Sequence, residues 1–174
     1  MGKVISSFTN GFPGAIARAL DDVVVAFANK SEGTLAFGVP VVLDATQTGV
    51  TLFDPATHTA ADFVGITVRN PSKTPDTYGS STGSYAANDL VDVLVRGHIV
   101  VKMENWDGKL GDPVTIKKAD GSWSNATGAD YVALPNVRIS SATDGTMCAE
   151  LLIPERNVLR SPADSWIMIP LSLS

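Results

Sequence analysis

His58 and His98 are the only histidines of this sequence, so acid–base or nucleophilic chemistry near neutral pH would turn on them. His98 follows Gly97 inside an apolar run, the setting of a core or interface imidazole. His58 lies in a turn-rich connection, Pro55-Ala56-Thr57-His58-Thr59-Ala60-Ala61-Asp62, which places it at the surface. Asp21-Asp22 is the one adjacent pair of acids, and neighbouring strand residues point to opposite faces, so capping explains it better than a glycosidase pair. No alternating acidic loop of the calcium-binding kind occurs. The lone Cys148 has no disulfide partner, and with two histidines it makes no ordinary zinc site. Gly108-Lys109 continues into Leu110 rather than a phosphate loop, and Gly79 and Gly83 match neither a dinucleotide nor a nucleophile-elbow motif. Trp106 and Trp123 flank Asp-Gly turns; with Tyr131 they would form a sugar platform if all three shared an exposed face. The expectation is no catalytic residue, no metal and no cofactor.

Composition excludes further classes. The chain has 174 residues, one domain's worth, and a net charge of −5, with 13 Lys and Arg against 18 Asp and Glu. No basic patch is available for nucleic acid or an anionic membrane. Nothing approaches 18 consecutive apolar residues, so no membrane span is expected, and the N-terminus turns polar too soon for a signal peptide. Charged residues make up only 18%, below the roughly 25% of an average soluble domain. A surface this poor in charge fits a protein whose faces meet other chains.

The dominant period is two. Val64, Ile66 and Val68 alternate with Gly65, Thr67 and Arg69, as a half-buried strand requires; Val114 and Ile116 do the same. Short β-branched runs such as Val23-Val24-Val25 and Ile99-Val100-Val101 read as strands buried on both faces. Strands are expected near 22–28, 35–43, 49–53, 63–69, 90–96, 98–103, 113–118, 131–139, 147–153 and 166–172, separated by Gly- and Asp-rich turns. The fold class is therefore all-β: a single-domain jelly roll, β-sandwich or barrel-like unit with extended N- and C-terminal segments and little helix. Residues 1–21 read as an N-terminal arm and 22–174 as the β domain, with a short helix or an extended arm both open for Ala15–Leu20.

Three segments stand out as contacts for other chains. Residues 70–89 form a long Ser/Thr/Pro/Gly-rich loop with Tyr78 and Tyr85, of the kind ordered by a partner. The C-terminus closes on Trp166-Ile167-Met168-Ile169, apolar where chain ends are usually polar, so it either completes the domain's own sheet or adds to a neighbour's edge. Phe8 and Phe12 lie in an N-terminal stretch with no strand pattern of its own.

Several phrases resemble the structural cement (capsid decoration) proteins of tailed bacteriophages. They are Gly11-Phe12-Pro13-Gly14 followed by Arg18, Phe37-Gly38-Val39-Pro40-Val41-Val42, and Phe63-Val64-Gly65-Ile66-Thr67-Val68-Arg69-Asn70-Pro71. Val93-Leu94-Val95-Arg96-Gly97-His98-Ile99-Val100-Val101 and the Gly111-Asp112-Pro113-Val114 turn follow in collinear order. The resemblance implies a non-enzymatic virion protein, made in the host cytoplasm, that binds the outer face of an assembled capsid. There it would bridge subunits of the major capsid protein as a homo-oligomer, a trimer ahead of a dimer. The alternative is a carbohydrate- or host-binding β-sandwich module of a phage particle. The expected contact residues are Phe8, Phe12, Arg18, Tyr78, Tyr85, Trp166, Ile167 and Ile169.

Overall fold

The computed structural model describes residues 9–74, 82–105 and 109–155. Eleven strands occur there: β1 (Ile16–Asn29), β2 (Leu35–Ala36), β3 (Pro40–Leu43), β4 (Gly49–Leu52), β5 (Phe63–Thr67), β6 (Ser84–Tyr85), β7 (Leu90–Lys102), β8 (Pro113–Lys117), β9 (Trp123–Ser124), β10 (Tyr131–Ile139) and β11 (Cys148–Ile153). One 3-10 turn at Pro71–Lys73, capped by the Asn70 side chain, is the sole helical piece among the described residues. The all-β expectation holds.

Five strands close on themselves. β1 pairs with β7, β7 with β5, β5 with β3, β3 with β4, and β4 returns to β1 through a short parallel contact at Ala28 and Asn29. The ring encloses a core of Leu35, Phe37, Val41, Val50, Val64, Tyr85, Val91, Val93 and Val95. From β7 the sheet continues through β11, β10, β8 and β9. These strands pack a second core, including Ile116, Trp123, Leu134, Ile139 and Leu151, against Phe63, Ile66 and Leu94 on the ring's outer face. Burying each such side chain contributes about 1.5–3 kcal/mol relative to exposure.

Lying between two cores changes what alternation means. All five residues of β5 are buried, not one face of it. Its polar alternates are Gly65, which has no side chain to place, and Thr67. The Thr67 hydroxyl donates to the Ala36 carbonyl at 2.7 Å and accepts the Val39 N–H at 3.0 Å. Thr115 is handled alike, its hydroxyl donating to the Ala126 carbonyl at 2.8 Å. A buried hydroxyl bonded in this way carries little penalty.

Two sequence breaks turn out differently from expectation. Residues 35–43 are two strands rather than one, because Gly38 takes φ +74° between them. Residues 90–96 and 98–103 are one strand, β7, with a slip at Gly97, whose φ is +123°. Before the slip Val91, Val93 and Val95 line the ring; after it Ile99, Val101 and Met103 line the second core. Ala15–Leu20 is resolved in favour of extended chain: β1 begins at Ile16, and the boundary expected after residue 21 runs through this strand. Pro135 in β10 sits where its register with β8 shifts, a position that tolerates the missing N–H. The strand expected at 166–172 lies outside the described residues.

A Cβ at position 97 would strike the Asp22 carboxylate and come within 2.9 Å of the Asp22 Cα. Gly97→Ala is therefore expected to lower stability by about 1–3 kcal/mol from backbone strain, with steric overlap in addition. Urea unfolding of Gly97→Ala and of the Gly97→Ala/Asp22→Ala double variant checks this. Removing the carboxylate should leave most of the loss in place, since the backbone contact and the φ remain.

Candidate contact surface

The collinear phrases of the sequence meet at one end of the ring. The Gly14 N–H donates to the Val100 carbonyl at 2.7 Å, and the Gly14 carbonyl accepts the Arg69 N–H at 2.7 Å. Gly38 lies against Pro13, and its carbonyl accepts the Trp123 indole N–H at 2.7 Å. The Arg69 guanidinium stands 5.0 Å from the centre of the Phe12 ring. Further back, the Asn10 side chain donates to the carbonyls of Ala142 and Cys148, and its N–H donates to Asp144 at 2.7 Å. The chain from Asn10 to Ala15 thus straps β5, β7, β11 and the β2–β3 break together. Phe12 remains exposed at the outside of this strap.

A second polar node surrounds the slip in β7. Arg18 Nε pairs with Glu150 Oε1 at 2.8 Å, with His98 Nε2 at 3.9 Å from the same oxygen. Ser140 donates its hydroxyl to that oxygen at 3.3 Å. Asp22 Oδ1 accepts the His98 N–H at 3.0 Å, and Arg96 pairs with Asp21 at 3.4 Å. The node brings a serine, a histidine and a glutamate together, but the carboxylate stands between hydroxyl and imidazole. A nucleophile must donate to the base itself, so the arrangement fits a buried anion neutralised by Arg18. His58 is a turn element: its Nδ1 accepts the Asp54 N–H at 2.9 Å beside Phe53.

Other expected contact residues fall elsewhere. Tyr85 is fully buried in the ring core, edge-on to Phe37, and its hydroxyl donates to the Val68 carbonyl at 2.7 Å. Burial pushes its pKa up to about 12. Its surface is taken up inside its own chain, which corrects the expectation of a partner contact there. Trp123 is likewise a core residue, so it offers no exposed face with Tyr131 for a sugar. Phe8, Tyr78, Trp106, Trp166, Ile167 and Ile169 lie outside the described residues. Arg18 and Phe12 are both exposed.

The exposed apolar surface centres on β1, where sequence reasoning placed a strand buried on both faces. Ile16, Val23 and Val24 are each about two-fifths exposed, and no residue with a described side chain between Ile16 and Ala28 is fully buried. Val25 and Phe27 pack partly on the ring core. The missed signal was the charged triplet Arg18, Asp21 and Asp22 within the same strand, which a doubly buried strand would exclude. Leu90, opposite Ala28, and Leu52, whose N–H donates to Ser31, extend apolar surface to the far end of the strand.

Turn carboxylates set the acid response of this surface. The Thr46 hydroxyl holds the Asp44 carboxyl below its usual range, the Ala56 N–H does so for Asp54, and Ser122 for Asp120. At Asp144 burial opposes ionisation, yet hydrogen bonds from Thr146, Asn10 and Cys148 prevail and the pKa is lowered. Carboxyls depressed below the unfolded value of about 3.9 contribute stability above that pH and lose it as pH falls through their folded pKa values. Stability to urea should therefore be level near neutrality and drop below about pH 4. Asp144→Asn should lower it at pH 7 by about 1 kcal/mol and make the acid drop shallower.

With the geometry in place, comparisons with known proteins converge. The family model described as structural cement protein (E217 gp24/Pam3 gp6) matches residues 3–153. The fold resembles a chain in the solved structure described as "The capsid of Myoviridae Phage XM1", with a TM-score of 0.71 at 18% identity, covering 88% of this chain and 96% of that one. A chain of "The crystal structure of head fiber gp8.5 N base in bacteriophage phi29" aligns at a TM-score of 0.41 and 14% identity, over 79% of this chain and 100% of that one; it carries no argument. No curated protein matches. The strapped ring, the second core behind it and the match across nearly its whole described length make this chain a member of the phage structural cement protein family, a structural component of the virion.

Proposed function

We propose that the protein binds the outer face of an assembled phage capsid and reinforces it by bridging subunits of the major capsid protein. The observation that carries this reading is the family match over residues 3–153. The surface supports it: a chain with 18% charged residues exposes apolar side chains along a 14-residue strand and at Phe12. A ligand that binds only the assembled shell stabilises it by mass action, by about 2.7 kcal/mol per site at a 100-fold excess over Kd. An oligomer spanning several subunits gains further through effective concentration.

Phe12, Arg18 and the segments carrying Phe8 and Trp166–Ile169 are the contacts assigned to this role, with Leu90 and Leu52 as additions from the exposed surface. Adding purified protein to shells that lack it should raise the shell's melting temperature and place one density per site on the outside in electron micrographs. Failure to bind shells at micromolar concentration would overturn the reading. Leu90→Asp, at a residue 71% exposed, should weaken shell binding at least about tenfold while leaving the unfolding midpoint unchanged. Removing residues 166–174 should weaken it too, measured by co-sedimentation with shells.

A further inference from the structure

Asn10 is the only asparagine of this sequence that precedes a glycine. That pair carries a chemistry of its own. The Gly11 amide nitrogen can attack the Asn10 side-chain carbonyl carbon, Cγ, and glycine has no Cβ to hinder the approach. The bond from nitrogen to Cγ forms, the bond from Cγ to Nδ2 breaks, and Nδ2 leaves as ammonia with the proton of the Gly11 amide. Water then opens the five-membered imide at either carbonyl, leaving aspartate or isoaspartate at position 10. Water is the only co-reactant.

The strap described above holds this reaction off. Both Nδ2 protons of Asn10 are committed, one to the Ala142 carbonyl at 2.8 Å and one to the Cys148 carbonyl at 2.6 Å. The Asn10 N–H is fixed as well, on Asp144 Oδ2 at 2.7 Å. Shedding Nδ2 as ammonia requires both side-chain bonds to be given up. The Gly11 N–H makes no hydrogen bond among the described residues, so the restraint comes from the Asn10 side of the pair. All three bonds run from one end of the strap to the single turn at 142–148, and a contact of that size opens by local fraying without global unfolding.

Either product is shut out afterwards. A carboxylate at position 10 is an acceptor only, and it would face two carbonyl oxygens and the Asp144 carboxylate. Three acceptors with no donor between them oppose closure, and the two like charges add to this. Isoaspartate also lengthens the backbone by one methylene between positions 10 and 11, against the register in which Gly14 bonds Val100 and Arg69.

We propose that Asn10-Gly11 is a self-modification site kept latent by the strap. Closed, the strap holds the Asn10 amide; open, it lets the amide convert, and the converted residue keeps the strap from closing again. The change is one-way and belongs to the isolated chain, so it stands or falls apart from capsid binding.

The test incubates the full chain at mildly alkaline pH, which favours the attacking amide anion, in native buffer and in concentrated urea. Peptide mapping by mass spectrometry reads the mass gain of amide-to-acid exchange at residue 10; isomerisation of the Asp-Gly pairs at Asp107, Asp120 and Asp144 changes no mass. Conversion should be at least about tenfold slower in native buffer, because reaction follows the open fraction. Asp144→Ala removes the acceptor of the Asn10 N–H and should speed conversion in native buffer about threefold or more, with the rate in urea unchanged. Urea unfolding midpoints at neutral pH should fall from the native chain to Asn10→Ala and again to Asn10→Asp, since alanine only loses the donors while aspartate adds a charge. Equal rates in native buffer and urea, no conversion in urea, indifference to Asp144→Ala, or Asn10→Asp as stable as Asn10→Ala would overturn the proposal.

Discussion

Side chains alternate strictly along a strand, so β7 lines the ring and then the second core only by slipping one residue in phase. Gly97 makes the slip, and Asp22 holds it by accepting the His98 N–H from across the pair. The consequence reaches every neighbour. β1 must loosen its own register between Arg18 and Val23 to stay alongside, which leaves Arg18 beside Glu150 and the following valines facing outward. β11 can then join β7 beyond the slip and bring the outer sheet with it. A fold with two cores and one shared wall rests on this position.

The strap from Asn10 to Ala15 answers a related problem. A ring closed by a two-residue parallel contact between β1 and β4 has a weak seam. Backbone hydrogen bonds from Gly14 to Val100 and from Arg69 to Gly14 bind β1's entry to β5 and β7 at the opposite end of that strand. Asn29 works at the seam itself. Fully buried, it donates to the carbonyls of Gly33, Tyr85 and Ala86 and accepts the Ser31 N–H, tying the β6 segment to the end of β1. The Asn29-Lys30-Ser31 tripeptide is thus a structural knot whose amide nitrogen is already committed.

Much of this architecture was legible because strands and turns leave local marks. The β-branched runs, the Asp-Gly turns and the period of two located nearly every described strand of four or more residues. What stayed hidden was partnership. Val23-Val24-Val25 has the composition of a doubly buried strand, and the one local mark that two of the three valines are exposed is the charge of Arg18, Asp21 and Asp22 in the same strand. Gly97 reads locally as a stop, since a glycine in a strand run marks a break or a bulge alike. Tyr85 looked available because it falls in the Ser/Thr/Pro/Gly-rich stretch 70–89, and Trp123 because it follows an Asp-Gly turn; both are claimed by cores built from distant segments. The family phrases were recognisable as phrases, but their common cause, a crossing of Gly14, Gly38 and Arg69, exists only in three dimensions.

The reach of the N-terminal strap also bears on when the protein can take shape. Asn10 is fastened to Asp144 and Cys148, partners 134 and 138 positions later in the chain. During synthesis at roughly 5–20 residues per second, Gly14 gains its partners Arg69 and Val100 first, and the Asn10 end has nothing to dock on until nearly all of the described chain has emerged. Long-range pairing of this kind makes folding slow and late. The strap therefore closes from Gly14 backwards, and its last fastening, at Asn10, waits for the turn at Asp144.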